Sequence, residues 1–99
     1  MKVYKIVDKK KYLLLIQIEK GYQIFFLLND LYREESSFYR RNFFPITNTD
    51  KFKKVYYVDT SKRYRVKVNA LNLKFFTELS ENDQKKLKFF LENKENHLS

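Results

Sequence analysis

The chain has 99 residues, 43% of them hydrophobic and 18% aromatic, which suits one packed domain and is too rich in Phe and Tyr for a disordered tail. Its 21 Lys and Arg against 12 Asp and Glu give a net charge of +9. Cysteine is absent, which excludes disulfides, thiolate metal sites and cysteine nucleophiles.

Val3–Val7 reads as a first strand, ended by the polar Asp8-Lys9-Lys10. Tyr12–Ile18 is a second, apolar on both faces along its first half, as a central strand would be. Glu19-Lys20-Gly21 holds the only glycine and predicts a hairpin of three-residue type. Tyr22–Leu28 follows as the third strand of an antiparallel meander. The five-residue apolar runs Tyr12–Ile16 and Ile24–Leu28 fall far short of the roughly 20 residues a bilayer-spanning helix needs, so no membrane partner is expected.

Asn29-Asp30 offers a helix N-cap, with Glu34 and Glu35 early and Arg40-Arg41 late, the order a helix dipole favours. Asn42–Asp50 contains Pro45 and reads as a loop. Phe52–Val58 and Lys62–Val68 are expected to form a second hairpin, turned by Asp59-Thr60-Ser61-Lys62. That register sets Tyr57 opposite Tyr64 and Val55 opposite Val66 on an oily side, and gathers Lys54, Tyr56, Arg63, Arg65 and Lys67 on the other. Asn69–Leu79 fits a helix or a final strand, with the helix preferred. Ser80 caps a C-terminal helix in which Leu87, Phe90 and Leu91 form one buried stripe. The tail from Asn93 to Ser99 is expected to fray. The fold class is α+β: an antiparallel sheet of about five strands with a connecting helix and a C-terminal helix. The expected core is Ile6, Leu14, Ile16, Ile24, Phe26, Leu28, Val55, Tyr57, Tyr64, Val66, Leu87, Phe90 and Leu91.

The charge is unevenly spread. Residues 51–68 hold seven cations against Asp59 alone, net +6, whereas residues 69–99 are neutral overall. An AT-rich coding bias accounts for abundant Lys, Phe and Tyr, but it does not localise charge. Cations on alternate strand positions stand roughly 7 Å apart on one side of a sheet and can follow a phosphate backbone. Lys54, Arg63, Arg65 and Lys67 are therefore the first candidate site, with Tyr56 as the stacking ring. The plainer alternative is a solvated face whose charge discourages edge pairing. Arg40 and Arg41, beside Phe43 and Phe44, form a second candidate, against which stands a simple helix C-terminal cation pair. Lys9-Lys10-Lys11 matters only if folding brings it beside Arg63–Lys67.

Catalysis has thin support. The lone His97 lies near the end of the chain, there is no Gly-rich phosphate loop, and no cofactor or metal is implied. The expected function is thus non-catalytic binding of RNA or single-stranded DNA, with a salt slope of about −3 to −4 for four to six neutralised phosphates. A first alternative is a protein–protein module docking on an acidic surface, as phage-encoded inhibitors of host defence do. A second is a metal-independent ribonuclease of the kind found among small basic toxins, for which Arg63, Arg65, Lys67, Tyr56 and Tyr64 supply residue types but no shared motif. With no cysteine and no export signal a cytoplasmic setting is expected. The sheet edges leave a homodimer open.

Overall fold

The computed structural model describes residues 1–47 and 50–98. Its first three strands are the expected meander: β1 (Lys2–Ile6), β2 (Lys11–Glu19) and β3 (Tyr22–Asn29), paired antiparallel. Glu19 pairs with Tyr22, so the hairpin loop is Lys20-Gly21, one residue shorter than expected. Gly21 takes φ +77°, a left-handed conformation that a side chain would disfavour.

The second half departs from expectation, and the reasons are local. The predicted hairpin over residues 52–68 does not form. Residues Tyr56–Lys67 make one 12-residue strand, β5, which pairs antiparallel with β3. The Asp59 carboxylate accepts from the Ser61 amide at 2.9 Å and from its hydroxyl at 2.5 Å. This is turn chemistry, but here it makes a bulge rather than a reversal. Leu27 pairs with Asp59 and Phe25 with Tyr64, so Phe26 alone faces the four residues 60–63.

The other flank of β5 is taken by β4 (Phe43–Ile46), where a loop over Asn42–Asp50 was expected. Asn48 and Thr49 of that expected loop lie outside the described residues. Pro45 is tolerated because β4 is an edge strand. The connecting helix α1 is shorter and later than expected, Ser37–Asn42, capped by Ser36, whose hydroxyl accepts from Tyr39 N. Asn29 instead accepts from Leu31 N at 3.0 Å in a local turn. Residues Leu73–Glu78 are a strand, β6, and not the preferred helix, because their alternation completes the free edge of β1. The helix α2 (Glu81–Leu98) begins at Ser80, whose hydroxyl accepts from Asp83 N at 3.1 Å. It extends past Asn93, where fraying was expected to begin; Ser99 lies outside the described residues. The result is an antiparallel α+β fold with six strands in the order β4-β5-β3-β2-β1-β6 and two helices among the described residues. Among the described residues no helix is long and apolar enough to cross a membrane.

The core lies between one sheet face and α2. Val3, Leu14 and Phe26 align across β1, β2 and β3, and Leu28, Val58 and Phe44 align across β3, β5 and β4. Leu79 and Leu87 close over them. Of the expected core, Leu14, Ile24, Phe26, Leu28 and Leu87 are buried, and Ile16, Phe90 and Leu91 pack half-buried against the cluster. Ile6, Tyr57 and Val66 are half-buried. Val55 and Tyr64 are surface residues, at 55% and 37% exposure, because the hairpin that would have paired them is absent.

Candidate nucleic-acid interface

The continuous strand β5 sets the positions of the predicted cations. Arg65 pairs with Ile24 and Lys67 with Tyr22, and the Arg63 guanidinium lies 5.8 Å from the Phe26 ring centroid. Arg63, Arg65 and Lys67 therefore share a side, as expected. That side is the one bearing the core, not its reverse. Helix α2 reaches β5 at Thr60, and the three cations lie past that contact and are exposed.

Lys54 and Tyr56 are not part of this group. They precede or open β5, roughly 30 Å along the strand from Lys67. Lys54 forms an ion pair with Asp30. Tyr56 sits in an aromatic cluster, 4.6 Å from Phe52 and 5.2 Å from Tyr12 between ring centroids. Burial pushes the Tyr56 phenol above its ordinary pKa, with the Lys54 ammonium opposing. The Lys54 hydrogen bond and charge hold the Asp30 carboxyl below its ordinary 3.8, and Asp30 holds Lys54 above its own value. A carboxylate with a lowered folded-state pKa stabilises the fold above its unfolded value. That contribution is expected to disappear as the pH falls below 3.8 through the lowered value. Acid titrations of unfolding for the wild type and Asp30→Asn should converge there.

Arg65 is also committed. Its Nε donates to Glu19 at 3.1 Å, and its guanidinium lies over the Tyr22 ring at 3.7 Å. Arg63, Lys67 and Arg41 have no carboxylate within ion-pair distance among the described residues. Arg40 and Arg41 diverge: Arg40 donates to the Glu34 carbonyl at 2.6 Å, while Arg41 lines a cavity at the end of α1. Lys9-Lys10-Lys11 sits at the β1–β2 turn, at the opposite end of the sheet from the Gly21 turn and Lys67, so folding does not bring the two sets of cations together.

The residue missed by the sequence reading is Lys94. Its ammonium donates to the Thr60 carbonyl at 3.0 Å and to the Thr60 hydroxyl at 3.2 Å. The Thr60 hydroxyl in turn donates to the Asn42 carbonyl at 2.6 Å, tying α1, β5 and α2 together. Burial pulls the Lys94 pKa down; Asp59 opposes this and Arg63 adds to it. The signal was present: Lys94 falls seven residues after Leu87, on the same helical stripe as Phe90 and Leu91. Arg41 and Lys94 face a cavity of about 820 Å³ whose lining, among the described residues, includes Phe38 and Phe90 and no carboxylate. A second cavity, of about 640 Å³ near Tyr4 and Gln23, has no Lys, Arg, Asp or Glu among its described lining residues.

Of the positive side chains, Arg63, Arg65 and Lys67 thus share the far half of β5, Arg41 and Lys94 line the cavity between α1 and α2, and Arg63 is near enough to Lys94 to act on its charge. In comparison with known proteins, no family model matches the chain, and neither a curated protein nor a solved structure matches it, so its own residues carry the functional argument.

Proposed function

We propose that the protein binds single-stranded nucleic acid, RNA or DNA, without catalysis, along Arg63, Arg65 and Lys67 and onward to Arg41 and Lys94. The observation that carries this reading is the placing of three cations at alternate positions on the exposed half of β5. Their spacing of roughly 7 Å suits successive phosphates of an extended strand. Tyr56 is replaced in this reading by the half-exposed Phe38 as the ring on which a base stacks.

Three to five neutralised phosphates correspond to a slope of log K against log salt of about −2 to −3.5. The double variant Arg63→Ala/Lys67→Ala should reduce the slope by about 1.4, two contacts' worth on a single strand. Glu19→Gln removes the carboxylate that competes for Arg65, so tighter binding and a steeper slope are expected. Titration of a labelled oligouridine or oligothymidine at several salt concentrations measures all three. No binding at low salt, or a slope unchanged by the double variant, ends the reading.

One observation favours a protein partner as the second reading. Strand β4 pairs only with residues 56–59, so the outer edge of β5 from Ser61 to Lys67 has no strand beside it among the described residues. The Val68 amide donates to the Gly21 carbonyl at 3.0 Å. By antiparallel alternation the backbone groups of residues 64 and 66 face β3, and those of Arg65 and Lys67 face outward. An extended segment with acids at alternate positions could add there as a further strand, its carboxylates beside Arg63, Arg65 and Lys67. Binding of such an acidic peptide by a protein that ignores the oligonucleotide would move the conclusion to this reading.

A further inference from the structure

We propose that the cavity between α1, the bulge of β5 and the C-terminal half of α2 holds one nucleoside monophosphate, its phosphate between Arg41 and Lys94 and its base against Phe38 and Phe90. The choice of ligand class rests on the nucleic-acid reading above; the cavity itself does not.

Three features support the assignment. The lining joins two cations, Arg41 and Lys94, and two rings, Phe38 and Phe90, alongside the neutral polar Asn42, Ser61 and Asn93, without an acid among the described residues. An anion with a flat apolar part matches that lining, whereas inorganic phosphate would leave the rings unused. The volume, about 820 Å³, lies in the range of small-ligand sites and far exceeds what phosphate alone would fill. Lys94 is also held ready. Two of its three N–H bonds go to Thr60, which leaves the third for a ligand and fixes where it points. Its ammonium is partly desolvated, so an arriving phosphate replaces hydration that burial has removed with a charge-assisted hydrogen bond. Phe38 is 53% exposed although it touches Phe43, with ring centroids 6.2 Å apart, and a stacked base would cover it. The nucleotide can come free or as the phosphorylated end of a strand.

The test is a backbone-amide NMR titration of the full chain with uridine 5′-monophosphate, uridine, inorganic phosphate, and an oligouridine with and without a 5′-phosphate. Saturable shifts at Asn42, Ser61 and Asn93 with the monophosphate are expected. Binding should be weaker by about tenfold for either uridine or phosphate alone, and by about tenfold in Phe38→Ala and in Arg41→Ala. The same shifts from the phosphorylated oligonucleotide alone identify a strand end as the ligand; the same shifts from the mononucleotide alone identify a free nucleotide. Absence of shifts at these residues, equal binding of inorganic phosphate, or indifference to Phe38→Ala overturns the proposal. Arg63→Ala/Lys67→Ala separates the two readings. If it loses the oligonucleotide and keeps the mononucleotide, the cavity stands apart from the strip. If Phe38→Ala and Arg41→Ala leave wild-type oligonucleotide affinity untouched and the cavity silent, the proposal fails and the strip shrinks to Arg63, Arg65 and Lys67.

Discussion

Replacing Phe26 with alanine is expected to lower the free energy of unfolding by about 4 kcal/mol. Phe26 is fully buried at the middle of the central strand β3, flanked by Leu14 of β2 on one side and by the bulge of β5 on the other. Its ring belongs to the one cluster that joins the sheet to α2 through Leu87. Truncation removes both the transfer free energy of the ring and the contacts around it, and the strands on either side cannot close the space without breaking their own pairing. Tyr64→Ala is the internal comparison. The sequence places Tyr64 in the core, but the structure leaves it 37% exposed, so its loss should cost about 1 kcal/mol or less. Urea unfolding followed by circular dichroism reads both, and a midpoint shift at constant m is the expected form. A cost for Phe26→Ala no larger than that for Tyr64→Ala would show that the cluster does not sit where it is described.

Asp83→Ala is expected to cost about 3 kcal/mol, a large effect for one polar side chain. Asp83 is fully buried, in the first turn of α2. Its carboxylate accepts from the Thr47 amide at 3.3 Å and from the Thr47 hydroxyl at 3.0 Å. Its own amide donates to Ser80. The carboxylate therefore fastens the chain leaving β4 to the start of the helix, and it also meets the positive end of the helix dipole. Alanine removes the charge and the acceptor of both Thr47 hydrogen bonds, so the link from β4 to the helix start is lost. Asparagine keeps one acceptor and should cost about half as much, so Asp83→Asn is expected between the wild type and Asp83→Ala. Thermal or urea unfolding of the three proteins checks the order. Equal stability of Asp83→Ala and the wild type would mean that Thr47 finds other partners.

The legible parts of this fold were those decided by side-chain alternation. Tyr12–Ile18 and Tyr22–Leu28 alternate or run apolar over enough residues that no helix competes, and Gly21 marks the turn between them. The stripe Leu87, Phe90, Leu91 and the cap Ser80 identify α2 for the same reason. What misled was turn chemistry. Asp59-Thr60-Ser61 makes the local hydrogen bonds of a turn, yet the same bonds serve a bulge when the strand on each side already has a partner. Whether a partner exists is a property of β3 and β4, far away in the chain. Phe43–Ile46 is too short, and too interrupted by Pro45, to announce itself as a strand without β5 beside it. Residues 73–78 fit two periods equally well, and the vacant edge of β1 decided between them.

The site was legible to the same degree. Arg63, Arg65 and Lys67 are two residues apart within one strand, so they share a side whether the strand ends at a hairpin or runs on. Lys54 and Tyr56 joined them only through the hairpin, and they left with it. Lys94 was hidden because a lysine on a buried stripe is ordinarily read as part of the solvated coat. Its partner Thr60 lies 34 residues away, and only the closed fold brings the two together.

The uneven pairing of β5 has one more consequence. Near Val58 the strand has neighbours on both flanks; beyond the bulge, from Tyr64 onward, it has among the described residues β3 alone. The amide protons of Arg65 and Lys67 point to water and should exchange with deuterium almost as fast as in an open chain, while that of the buried Val58 stays protected until the whole molecule opens. A single element thus spans well-protected and nearly unprotected amides. The end that can loosen without unfolding the rest is the end that carries the arginines.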